Sequence, residues 1–217
     1  MKDRLAFVGG YGFPQVFIAV AVLLLGQSCG HKEESKPQQP VASEAQIIAH
    51  SNENIFEEFL RKVKDDPKNV DNLYHLADLY ERNNQYEKAI ETFAKVIAIK
   101  PDMGYAYLKM GTSYSRMNQP DKAVAILKDA AGHLPRNPVV LNNLGIAYGK
   151  LGRLDDEIDA LKRAIAIRSR YASARYNLGL TYINKGNLAA ARSEYQALNE
   201  FNSTMALDLL KQIEAGK

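Results

Sequence analysis

With 217 residues the chain has room for one elongated array or one compact domain, and its 28 Lys and Arg against 25 Asp and Glu leave a net charge of +3. No dominant basic field therefore draws it to nucleic acid. The single cysteine, Cys29, excludes an internal disulfide and a cysteine-based metal cluster. Lys2 and Arg4 open the chain, ahead of an uncharged stretch from Leu5 to Gly30 whose apolar centre, Val16 to Leu25, is ten residues long. That is the length of a signal-peptide core, whereas a membrane-spanning helix needs roughly 20 apolar residues. Residues 1–28 therefore read as a signal segment. Two other readings stay open. An uncleaved anchor from Leu5 to Leu25 is just long enough to span, with Gly9, Gly10, Gly12 and Pro14 weakening a helix there; the other is plain cleavage and secretion. All three place the rest of the chain outside the cytoplasm.

Residues 29–43 are polar and carry Pro37-Gln38-Gln39-Pro40, the composition of a disordered tether. Over 44–66, Ile48, Ile55, Phe56, Phe59, Leu60 and Val63 predict one amphipathic helix. Beyond it a pattern returns four times at a spacing of 34 residues: Leu76, Met110, Leu144 and Leu178; Ala77, Gly111, Gly145 and Gly179; Tyr80, Tyr114, Tyr148 and Tyr182. A second set follows at the same spacing: Ala89, Ala123, Glu157 and Ala191, then Phe93, Leu127, Leu161 and Tyr195, with Pro67, Pro101 and Pro135 as punctuation. A fixed period in this range is the signature of a repeat array, which presents a surface rather than a reaction centre.

Each repeat reads as two antiparallel helices, an A helix (Val70 to Asn83 in the first repeat) and a B helix (Tyr86 to Ile99). Asn84, Asn118, Gly152 and Gly186 fall between them, residue types that tolerate the left-handed conformation. Asp102, Asn137 and Ser203 stand near helix starts as candidate caps, and Pro101 and Pro135 stop the preceding B helices. The small residue at the Ala77/Gly111 position lets the two helices approach closely, and the large residue at the Phe93 position fills the gap between repeats. In the repeat frame Ile55 and Phe59 align with Ala89 and Phe93, so 44–66 resembles a lone B helix. Met205, Ala206, Leu209, Leu210 and Ile213 predict a closing helix over 204–217. No strands are expected. Three positions depart from the pattern: Glu157 replaces a small residue, Arg175 stands where Leu73, Tyr107 and Leu141 stand, and Ser169 replaces the proline. Gly145 and Gly149 lie one turn apart in the facing helix and offer Glu157 room, although the plainer expectation is a carboxylate reaching solvent.

Catalytic constellations are nearly absent. His31, His50, His75 and His133 have no metal-ligand spacing with one another or with Cys29. Asp155-Asp156-Glu157 opens a B helix, where negative charge suits the helix dipole. Gly9-Gly10-Tyr11-Gly12 precedes no strand and is no phosphate loop. No enzyme activity, cofactor or metal is expected.

The correlated positions over 67–203 resemble the tetratricopeptide repeat (TPR) family. That resemblance implies an all-α solenoid of four helix-hairpin repeats with N- and C-terminal capping helices, whose A helices line a concave groove. Carried onto this sequence, the implied peptide-binding positions are Tyr74, Asp78, Tyr105, Leu108, Thr112, Asn142, Asn143, Ile146, Tyr176, Asn177 and Leu180. Aromatic and aliphatic members supply apolar contact, and the asparagines can each donate to and accept from a peptide backbone. Clustered Lys and Arg are missing from these positions, unlike the carboxylate-clamp members of the family. The run Leu24-Leu25-Gly26-Gln27-Ser28-Cys29 is similar to a bacterial lipoprotein signal, with Gly26 departing from the pattern; the similarity implies lipidation at Cys29. Gly30 after the cysteine then implies sorting to the outer membrane. Together the resemblances imply a non-catalytic adaptor of the cell envelope, anchored in a membrane and facing the periplasm. Its partner is a peptide or helix segment of a protein. Pilus or secretion assembly, outer-membrane assembly and recruitment of cell-wall enzymes are the roles such proteins serve. The alternative is a structural subunit that self-associates by stacking of repeats into a homo-oligomer.

Overall fold

The computed structural model describes residues 44–215, with side chains from 54 onward. The segment 1–28, Cys29 with the tether to 43, and the side chain of Ile48 lie outside the described residues. Ten α-helices and no strand are found among the described residues: α1 (Glu44–Asp65), α2 (Val70–Arg82), α3 (Tyr86–Ile99), α4 (Gly104–Arg116), α5 (Pro120–His133), α6 (Pro138–Lys150), α7 (Leu154–Ile167), α8 (Ala172–Asn184), α9 (Leu188–Asn199) and α10 (Ser203–Ala215). Each A helix (α2, α4, α6, α8) packs on its B helix (α3, α5, α7, α9), and α4, α6 and α8 pack also on the B helix before them. No helix of the described residues is long and apolar enough to cross a membrane.

The turn from A to B is the same four times, and its cause is local. Asn84, Asn118, Gly152 and Gly186 all take positive φ, at 58°, 54°, 70° and 73°. Placing that residue in the left-handed region turns the next amide back toward the helix. Gln85, Gln119, Arg153 and Asn187 thereby donate from backbone N–H to the carbonyls of Tyr80, Tyr114, Tyr148 and Tyr182, at 2.8–3.0 Å. The left-handed residue itself donates to the carbonyl three back, as in Asn84 to Glu81 at 3.0 Å. These two bonds are the Schellman closure, which satisfies carbonyls a helix end leaves orphaned.

The B-to-A joints are less uniform. Asn137 caps α6, accepting from the Val139 N–H at 2.9 Å, and Asn69 caps α2 through the Asn72 N–H at 3.0 Å. Two of the expected caps are displaced. Asp102 falls one residue short of the N-cap, Met103, which makes no side-chain bond. Ser203 is the first residue of α10, and Asn202 takes the capping role, accepting from the Met205 N–H at 3.1 Å. Proline is dispensable as a stop: α7 ends at Ile167 in the register of α3 and α5 although Ser169 stands in the proline's place.

Packing follows the period. Ala89, Phe93, Ala123, Leu127, Leu161 and Ala191 are fully buried. A Cβ built on Gly111 would lie 2.7 Å from Leu127 Cγ, and one on Gly145 would lie 2.9 Å from Leu161 Cγ, so these helices approach as closely as a bare backbone allows. Gly179 faces forward to α10 instead, where a Cβ would meet Leu209 Cδ2 at 2.6 Å. At the N-terminal end α1 lays Phe56 edge-on to Tyr80 and Phe59 against His75, both at 5.1 Å between ring centroids. Ile55 does not follow the lone-B-helix alignment; it is 40% exposed. Two of the departures meet each other. Arg175 donates from Nε to the Ser169 carbonyl at 2.9 Å and pairs through Nη1 with Glu194 at 2.8 Å, so a charged side chain fills an apolar position with two of its nitrogens bonded.

Candidate functional site

The A helices carry the expected groove positions, and three of them, α4, α6 and α8, bring a set of polar side chains into one line. Thr112 Oγ1 donates to the Leu108 carbonyl at 2.8 Å and accepts from Asn143 Nδ2 at 3.1 Å. Asn142 Nδ2 donates to Asn143 Oδ1 at 3.3 Å, and Asn177 Nδ2 donates to Asn142 Oδ1 at 3.2 Å. The asparagines therefore use hydrogen-bonding capacity on one another across three repeats. Each primary amide keeps a second N–H, since it carries two. Asn142 is only 5% exposed, so Asn143 and Asn177 are the members of this ladder that face outward.

Ile146, half-buried on α6, stands between two cavities. The first, about 250 Å³, is lined by Thr112, Ser115, Arg116, Asn143, Ile146 and Lys150. Lys150 donates to the Ser115 carbonyl at 2.7 Å, and Ser115 Oγ is buried without a partner among the described residues. The second, about 190 Å³, is lined by Ile146, Gly149, Glu157, Asn177, Leu180, Thr181 and Asn184. Its Glu157 is only 9% exposed, so most of the side chain packs inward and it faces this cavity rather than the outer surface. A Cβ on Gly149 would sit 2.7 Å from both carboxylate oxygens, so the glycine is what admits the acid. Gly145 contributes less, being filled by Leu161. Burial pushes the Glu157 carboxyl above its ordinary value, with Thr181 opposing.

The remaining expected positions are engaged elsewhere. Leu108 is a core residue at 8% exposure rather than a lining one. Asp78 is held by Lys109 at 2.6 Å and Arg82 at 2.7 Å, and Lys109 reaches Glu81 as well at 2.8 Å. Burial works against the Lys109 charge, yet its bonds to Asp78 and Glu81 prevail and hold the ammonium above its ordinary range. Tyr74 packs edge-on to Phe93 at 5.5 Å, and burial raises its hydroxyl. The Tyr176 hydroxyl donates to Asp208 on α10, and that bond with burial pushes it up to about 12. Leu180 packs partly against the same C-terminal cluster. Tyr105, at 54% exposure, is the one aromatic of the set that stands open. Expected site residues thus converge only at Thr112, Asn142, Asn143, Ile146, Asn177 and Leu180.

Arg116 and Lys150 were not among the expected site residues, and Glu157 stood only as a departure from the repeat pattern. Sequence reasoning also denied the groove a cluster of cations, whereas Arg116 and Lys150 line one cavity. The signal was present: Arg82, Arg116 and Lys150 recur at the repeat spacing, at the last position of the first three A helices.

Two family models of the tetratricopeptide repeat match, one at residues 70–103 and 172–204, the other at 108–172. The chain belongs to the tetratricopeptide repeat family. Such arrays are scaffolds for protein–protein interaction. Among solved structures, MamA is 21% identical with a TM-score of 0.66, over 78% of this chain and 94% of that one. YrrB, a TPR protein with an unusual peptide-binding site, is 19% identical with a TM-score of 0.61, over 75% and 93%. TTC0263, a thermophilic TPR protein of Thermus thermophilus, is 24% identical with a TM-score of 0.59, over 79% and 94%. These likenesses establish the fold. No curated protein matches the chain.

Proposed function

We propose that the chain is a non-catalytic adaptor that holds a peptide or helix segment of a protein partner across α4, α6 and α8. The observation that carries this reading is the amide ladder Thr112–Asn143–Asn142–Asn177, flanked by two cavities that share Ile146. A ladder of preset amides offers main-chain hydrogen bonds, and cavities on either side of an apolar ridge take alternate side chains. YrrB, similar in fold, lends support in that its peptide-binding site is on a TPR array. The leader and Cys29 support a bacterial envelope protein: lipid-anchored, in the outer membrane by its Gly30, with the array in the periplasm. Its task there is to gather partners in pilus or secretion assembly, outer-membrane assembly or cell-wall enzyme recruitment.

Crosslinking from membranes tests the groove. Ile146→Glu puts a charge on the ridge, whereas Lys128→Glu alters an exposed position on the B helix α5. Partners captured by the wild type are expected to persist with Lys128→Glu and to vanish with Ile146→Glu; equal capture by both variants would sink the groove. The mass of the mature N-terminus distinguishes an acylated Cys29 from an intact Met1.

A second reading, self-association by stacking, is favoured by one observation. Leu207 on α10 is 55% exposed and lines a cavity of about 530 Å³ with Tyr176, Met205 and Lys211. Light scattering decides it: a concentration-dependent oligomer abolished by Leu207→Glu supports stacking, and a monomer at every concentration removes it.

A further inference from the structure

We infer that the cavity over Glu157 is a specificity pocket for one cationic side chain, the ammonium of a lysine or the guanidinium of an arginine, presented by the segment lying in the groove. The inference rests on the groove reading and adds to it what the partner must carry. In the other repeats the Glu157 position holds Ala89, Ala123 and Ala191, all fully buried and all without polar chemistry. Here a glutamate occupies it, only 9% exposed as a residue, and lines a cavity of about 190 Å³ that opens between α6 and α8.

Nothing among the described residues neutralises that carboxylate. The cations near the start of α7 go to its neighbours: Arg153 pairs with Asp156 at 2.6 Å, and Lys185 pairs with Asp155. No ion pair forms to Glu157 among the described residues. Of the donors near it, the Thr181 hydroxyl has a single proton and shares it with the Asn177 carbonyl at 2.8 Å, and Asn177 Nδ2 gives an N–H to Asn142 Oδ1 at 3.2 Å. An ionised carboxylate accepts at about four lone-pair sites, so most of this capacity is unused.

The walls specify the shape of what fits. Ile146 and Leu180 are apolar and partly buried, suited to a methylene stem, and Asn177 and Asn184 frame the carboxylate with polar groups. Apolar walls beside a carboxylate match a side chain whose stem is aliphatic and whose tip is cationic. Such a tip would make a charge-assisted bond in a partly desolvated site, where it is stronger than in water. A neutral side chain of equal length would leave the carboxylate unpaired under it, which is a discriminating penalty.

The test uses N-acetyl-lysine methylamide against its norleucine counterpart, which keeps the stem and lacks the ammonium. Each is titrated into the full chain in detergent while the methyl signals of Ile146, Leu180 and Thr181 are followed by NMR. The lysine probe is expected to shift these methyls saturably and to bind about tenfold tighter than norleucine, the yield of one charge-assisted bond. Glu157→Gln is expected to erase the difference with the rest of the methyl spectrum unchanged. Should that variant misfold, Glu157→Ala, the residue type of the other repeats, takes its place. Equal binding of the two probes, no binding of lysine, or a lysine preference that survives loss of the carboxylate each overturns the pocket. Partner capture that depends on Ile146 while the lysine probe fails leaves the groove standing and removes only its cationic specificity.

Discussion

Glu157 places a functional group where the fold prefers none, and the consequence is a measurable pH dependence. Burial lifts its carboxyl above the ordinary 4.5, so the folded state holds the proton more tightly than the unfolded state does. The stability this proton carries is fully present below about pH 4.5 and is lost as pH rises through the folded value. Glu157→Gln keeps the volume and removes the charge. Its urea midpoint is therefore expected to match the wild type in acid and to rise above it as the pH passes upward through that window. A constant gap at every pH would mean that the carboxylate is solvated after all. The exchange is the familiar one in which a binding group is kept at the expense of stability.

Between helices, the decisive quantity is how closely two backbones approach, and two glycines on adjacent helices separate that effect from helix propensity. Gly111 on α4 faces Leu127, with its virtual Cβ 2.7 Å from a branch carbon that cannot swing aside. Gly132, near the end of α5, has nothing within 4 Å of its own. Overpacking of this kind costs about 1–3 kcal/mol, against a propensity gain of at most about 1 kcal/mol for Ala over Gly. Gly111→Ala is thus expected to lower the denaturation midpoint and Gly132→Ala to leave it equal or higher. A gain from Gly111→Ala in thermal or urea unfolding would show that α4 and α5 are further apart than 2.7 Å implies. This level of organisation was legible in the sequence because the 34-residue period repeats both the turn and the packing position. Asn84 and Gly152 announce the same left-handed joint, and Ala77 and Gly145 the same close approach. The concave face was less legible for a physical reason. Its side chains find partners 28 to 35 residues away, as Lys109 finds Glu81 and Asn177 finds Asn142, and one spacing serves a solvated residue as well as a bonded one. Glu157 left two readings open because spacing alone does not say whether the side chain turns toward Gly149 or away from it, and Tyr176 read as a ligand contact because α10, where Asp208 waits, lies outside the repeat frame.

At the scale of the array, stability is the sum of small interfaces between neighbours, so an end has an effect that fades along the chain. Helix α10 supplies the last interface. Its Leu209 and Ile213 are fully buried against α8 and α9, where Leu198 and Ala191 are fully buried in turn. Burial of one such aliphatic side chain contributes about 1.5–3 kcal/mol, so ending the chain at Asn202 removes about 3–6 kcal/mol from the C-terminal end by the same reckoning. It also uncovers Gly179, whose bare backbone is matched to Leu209. Nearest-neighbour coupling makes the expected loss directional. In hydrogen exchange the amides of α9 are expected to lose protection by orders of magnitude, those of α7 less, and those of α3 not measurably. The groove between α4 and α6 would then survive, and with it the cavity bearing Arg116 and Lys150, while the pocket of Glu157, which needs α8 in place, would be lost. Equal loss of protection from α3 through α9 would contradict this, for it would mean that the array unfolds as one cooperative unit and that its binding surfaces stand or fall together.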